Sequence, residues 1–192
     1  GFAPASILPS ALGPLPEGHF RNFSLLKLLA SLREQGSWGG ETHLQKAAYL
    51  LKEMHNVPLG NAFVLYKQGP FSFDLRDELA QLRTAGQIQV EPQPAPFGHK
   101  LGLSGVGEKL LKRLQYRWEP YKESIDQVAQ WLSGYRVKKL EQLATAWYVV
   151  SELPQGDLSA WLHHLQEVKP HVSEDDAQAA IAEVLEVKGA WA

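Results

Sequence analysis

Two short runs hold the polar residues best placed to act together. Gln45, Lys46 and Tyr49 fall in Leu44-Gln45-Lys46-Ala47-Ala48-Tyr49-Leu50-Leu51, and Tyr66 and Ser72 in Tyr66-Lys67-Gln68-Gly69-Pro70-Phe71-Ser72. An amide, an ammonium, two phenols and a hydroxyl gathered beside Gly69 and Pro70 would form a groove holding a partner's backbone or a phosphate. A second reading gives each residue to the fold. Gln45 closes a capping box with Thr42, Tyr49 sits at the core edge with its hydroxyl outward, and Gly69-Pro70 shapes a turn. Sequence leaves both readings open.

Other chemistry finds little support. His163 and His164 are adjacent on an expected helix and point about 100° apart, so with His171 they do not chelate one ion, and no metal site is expected. Cys is absent, which excludes disulfides, thiolate metal sites and thiol nucleophiles. The chain has no HExxH, no Walker-type glycine loop and no GxSxG elbow, so neither an enzyme nor a cofactor is expected.

The elements that must position these residues follow from apolar spacing. A first helix is expected over Asn22–Gln35, with Phe23, Leu25, Leu26, Leu28, Leu29 and Leu32 inward and Gly36 ending it. A second starts at the Thr42 capping box, with Leu44, Ala47, Ala48 and Leu51 inward, and stops before Pro58. Ala62–Tyr66 reads as a short strand and Gln68-Gly69-Pro70 as a turn. Ser72 caps a third helix with Leu75, Leu79 and Leu82 inward.

Residues 87–91 and 100–103 predict a hairpin whose tip holds Pro92, Pro94, Pro96 and Gly98. Helices then follow: a stripe of Val106, Leu110, Leu111 and Leu114, and one from Trp118 through Tyr121, Ile125, Val128 and Ala129 to Leu132. Three more carry Leu140 to Val150, Leu158 to Leu165, and Ala177 to Val184 behind a Ser173 cap.

Three helices followed by a hairpin is the order of a winged helix. The expected fold is mainly α (α+β), with a winged-helix core over 21–115, a small hairpin wing, and a helical extension over 116–192 packed on the core. Residues 1–20 are expected to be a Pro- and Gly-rich tail.

The two runs, with Leu103-Ser104-Gly105-Val106-Gly107, Leu143-Ala144-Thr145-Ala146-Trp147-Tyr148 and Lys169-Pro170, resemble the YwgA-like bacterial proteins and the related Panacea, or SocA-like, antitoxin domain. The resemblance spans roughly Phe23 to Val187, with Lys67 and Gln68 standing between the Tyr and the Gly-Pro as a departure. It implies a winged-helix fold and a role in regulation, toxin neutralisation or phage and mobile-element defence. It implies no reaction. The expected partner is a protein, such as a toxin or complex subunit, held at Gln45, Lys46, Tyr49, Tyr66, Gly69, Pro70 and Ser72.

Charge supplies the alternative. The formal net charge of −2 conceals nine basic against four acidic residues over 100–139, and two against nine over 140–192. Nucleic acid is therefore a second candidate partner, contacted by Arg76, Arg83, His99, Lys100, Lys109, Lys112, Arg113 and Arg117. Against it, the third helix turns Asp74, Asp77 and Glu78 outward beside Arg76 and Arg83. The alternatives to an antitoxin-like binder are a DNA-binding transcriptional regulator, expected as a homodimer, and a structural subunit of a larger defence or chromosome-maintenance assembly. With no long apolar run and no leader-like start, a cytoplasmic protein without membrane contact is expected.

Overall fold

The computed structural model describes residues 17–67 and 69–192, with side chains from residue 23 onward. It is mainly α with small hairpins. Helix α1 (Glu17–Glu34) and helix α2 (Glu41–His55) are followed by β1 (Val64–Tyr66), β2 (Gly69–Phe71), α3 (Phe73–Thr84), β3 (Ile88–Glu91) and β4 (Lys100–Leu103). Then come α4 (Gly105–Arg113), α5 (Gln115–Trp118), a 3-10 turn over Glu119–Tyr121, α6 (Lys122–Leu132), α7 (Val137–Glu152), α8 (Leu158–Val168) and α9 (Glu174–Ala190). The three helices and the hairpin stand in the expected order, with the β1–β2 hairpin inserted between α2 and α3.

The leucine faces read from sequence form the core: Leu25, Leu26, Leu28, Leu29 and Leu32 of α1 meet Leu44, Ala47, Ala48 and Leu51 of α2. Helix α6 packs on α1 and α2, and α7 on α2 and β2, while α8 and α9 cover α7. The apolar core is therefore continuous from α1–β4 into the helices that follow, and the expected boundary at 115/116 falls at the start of α5.

In the wing, Ile88 pairs with Leu103 and Val90 with Leu101. The Leu101 N–H also donates to the Gly39 carbonyl at 3.0 Å, tying the wing to the approach to α2. Ser104 caps α4 by accepting from the Gly107 N–H at 3.1 Å. Gly107 permits the close approach of α4 to β3, since a Cβ there would stand 1.9 Å from the Gln87 carbonyl oxygen. The Leu-Ser-x-x-Gly run is thus a junction between wing and helix.

Several local expectations are corrected. Helix α1 begins at Glu17, so the end of the expected tail is helical, and residues 1–16 lie outside the described residues. The capping box does not form: Gly40 is the N-cap of α2 with no side-chain bond. Gly69 and Pro70 lie in a strand rather than a simple turn, because β1 and β2 pair directly across a tight connection. Val106 is exposed, with Gly107 taking the inner position of that helix. The long helix expected from Trp118 to Leu132 is broken at Pro120, whose missing N–H fits the 3-10 turn. Glu78 turns inward, where its carboxylate accepts from the Asn61 side chain at 3.1 Å.

Candidate functional site

One face of α2 explains the polar run. Gln45, Tyr49 and Lys52 are spaced i, i+4 and i+7, so they share a stripe, and Lys46 lies beside it. All four reach the segment from Asn61 to Ser72. The Gln45 amide donates to the Ser72 carbonyl at 2.8 Å and accepts from the Ser72 N–H at 2.9 Å, reproducing with a side chain the two bonds a neighbouring strand would supply. Lys46 Nζ donates to the Pro70 carbonyl at 2.7 Å. The Tyr49 ring packs on Phe63 with centroids 5.3 Å apart, and Lys52 Nζ donates to the Asn61 carbonyl at 2.5 Å. Ser72 also caps α3, its hydroxyl accepting from the Leu75 N–H at 3.1 Å.

The later runs arrive at the same point. Gly69 adopts φ +92°, and a Cβ on it would lie 2.6 Å from Thr145 Oγ1, so the strand meets α7 where only glycine fits. The Thr145 hydroxyl donates to the Glu141 carbonyl at 2.8 Å. Lys169 Nζ lies 3.3 Å from the Glu141 carboxylate, a pair largely shielded from solvent. Burial pushes the Lys46 amine down to about 8, with Glu141 opposing the shift and Lys169 adding to it. Burial also pushes the Tyr49 phenol up, reinforced by nearby Glu53.

The structure therefore brings Gln45, Lys46, Tyr49, Gly69, Pro70 and Ser72 together but buries them, with their polar groups directed inward. The groove expected of them is not open, and the outward hydroxyl expected of Tyr49 is enclosed. Tyr66 alone of that set is exposed.

Above the buried cluster lies a different surface. Val64, Leu65, Tyr66 and Phe73 are 49%, 40%, 47% and 48% exposed. The rings of Tyr66, Phe71 and Phe73 form a cluster with centroids 5.0 to 5.8 Å apart. Arg76 lies over Phe71 at 4.8 Å and pairs with Glu41 at 2.9 Å. Sequence reasoning did not single out Val64, Leu65 or Phe73; the signal was a strand apolar at every position, where a half-exposed one alternates.

The basic candidates divide between surfaces. Arg76, Arg83 and His99 line a cleft of about 540 Å³ between α2, α3 and the wing, with Trp38 and His43. Lys100 is held over the Trp38 ring at 4.2 Å. Lys112 lines a separate hollow beside Lys27 and Arg33. Lys109, Lys112 and Arg113 are exposed on α4, and Arg117 lies on α5 over the Tyr116 ring at 5.4 Å.

Among the described residues no helix is long and apolar enough to cross a membrane. No family model fits the chain, and no curated protein matches it.

Proposed function

We propose that this chain is a noncatalytic, antitoxin-like regulatory protein of the kind its sequence resembles, and that it acts by binding a protein partner through the β1–β2 hairpin and the start of α3. The observation that carries this reading is the contrast at that site. A buried polar cluster fixes a hairpin whose outer residues are large and apolar, a combination that adds little to the core but suits a surface covered on binding. Aromatic residues such as Tyr66 and Phe73, ordered in advance by ring contacts, lose little entropy when a partner packs on them.

The second reading, a DNA-binding regulator, draws on Lys109, Lys112, Arg113 and Arg117, which form no ion pair among the described residues. The face of α3 favours it less, because exposed Asp74 and Asp77 balance Arg76 and Arg83.

Two double or triple variants separate the readings. Tyr66→Ser with Phe73→Ser should abolish copurification of a specific partner, while Lys109, Lys112 and Arg113 changed together to Glu should leave it intact. Labelled duplex DNA titrated at low and moderate salt should show no steep salt-dependent binding. Tight, salt-sensitive DNA binding lost only in the charge-reversal variant would overturn the proposal in favour of the regulator.

A further inference from the structure

The β1–β2 hairpin has two edges with opposite fates. Val64 pairs with Phe71, Leu65 with Pro70 and Tyr66 with Gly69. Pro70 has no N–H, so Leu65–Pro70 is the non-hydrogen-bonded pair, and the ladder bonds run through the pairs on either side. Backbone groups alternate along a strand. The N–H and C=O of Leu65 therefore point away from β2, while Pro70 C=O and both groups of Ser72 point inward to Lys46 and Gln45. Side chains close the inner edge. The outer edge ends in the two backbone groups of Leu65, and among the described residues no strand pairs with β1 except β2.

We infer that β1 pairs with β1 of a second copy of this chain, antiparallel about a twofold axis at Leu65, to make a four-stranded sheet ordered β2, β1, β1, β2. The edge matches itself. A residue on the twofold must satisfy its own equivalent, and the outward N–H and C=O of Leu65 do so reciprocally. In this register Val64 stands opposite Tyr66 of the second copy, a β-branched and aromatic pair, and Lys67 stands opposite Phe63. No like charges meet, and among the described residues Lys67 makes no ion pair that the pairing would break.

The wing shows the contrast, with Glu91 and a proline-bearing tip, features that discourage edge association. β1 carries neither a charge nor a proline. Three residues per copy bury far less than the roughly 800 Å² per partner of a standard interface, so association is reversible and depends on concentration. A second copy covers the same apolar residues offered to a protein partner, and the two compete.

The test needs only the pure chain, so its outcome is separate from that of the partner-binding proposal. Sedimentation velocity from low micromolar to near-millimolar loading should show the mass rising from monomer toward dimer. Leu65→Pro removes the outward N–H and spares the bonds between β1 and β2, and should weaken association at least about tenfold, the equivalent of about 1.4 kcal/mol. Leu65→Lys and Leu65→Glu each set a like charge against itself and should each sediment as monomer. Mixed in equal amounts they should associate again, which also shows that both variants are folded. A wild-type chain monomeric throughout, a dimer indifferent to these substitutions, or a mixture that stays monomeric would each overturn the inference.

Discussion

The two hairpins of this protein have strands of similar length and turn opposite surfaces outward. In β3–β4, Ile88 and Leu101 are buried, while Gln89 and Glu91 face solvent near a tip holding Pro92, Pro94 and Pro96. In β1–β2 the arrangement is inverted, with Gln45, Lys46 and Ser72 inside and Val64, Leu65 and Tyr66 outside. The wing is held by apolar burial and presents a solvated face. The other hairpin is held by hydrogen bonds to its backbone and presents an apolar one. A polar cluster committed to an element with so little core of its own makes sense when the outward face of that element has work to do.

The comparison breaks most visibly at Gln45. Gln45→Leu leaves the buried Ser72 N–H unpaired, at about 1–3 kcal/mol, and removes one of two bonds to the Ser72 C=O, which keeps the Arg76 N–H at 3.3 Å, for about 1 kcal/mol more, so urea unfolding should show a loss of about 2–4 kcal/mol. Gln89→Leu in the wing should stay within about 0.5 kcal/mol, and equal effects would erase the distinction between the hairpins. Next is Gly69→Ala, which combines a left-handed backbone with a collision against Thr145 and should cost about 1–3 kcal/mol. Gly98→Ala at the wing tip, where a Cβ meets nothing within 4 Å, should be close to neutral in the same assay.

A smaller effect comes from Lys46. Its amine titrates at about 8 when folded, below the ordinary lysine value, so from about pH 8 to pH 10 the unfolded chain holds the extra proton. Stability should therefore rise across that window, by about 1–2 kcal/mol, and Lys46→Met should flatten the rise. Above about pH 10 the raised Tyr49 pKa acts in the other direction, because the phenol ionises first in the unfolded chain. The smallest change in stability is expected for Tyr66→Ser, about 1 kcal/mol or less from lost ring contacts, although the same substitution should weaken partner binding severely.

Sequence made the helices legible because their apolar spacing is strong: the residues that the periodicity selects on α1, α2 and α3 are all buried, whereas on α7 Ala146 and Val149 are buried and Trp147 only partly so. It also marked polar residues that the fold brings together, Gln45, Lys46, Tyr49 and Ser72. What it could not reveal was direction. Gln45 has a plausible local partner in Thr42, and only the fold brings Ser72 within reach from 27 positions away. Glu141 carried no signal of its own, since its importance lies in standing beside Lys169 and near Lys46. The exposure of Val64 and Leu65 was hidden for a related reason, as an unbroken apolar run usually describes a buried strand. Glu78 reads as one more outward carboxylate until Asn61 is found beside it.

Backbone amide hydrogen exchange on the dilute chain tests the central asymmetry most directly. The Ser72 N–H, held by the Gln45 amide, should be strongly protected, and the Leu65 N–H at the open edge should exchange rapidly. Ser72 exchanging as fast as Leu65, or Leu65 protected at a concentration where only monomer is present, would contradict that asymmetry.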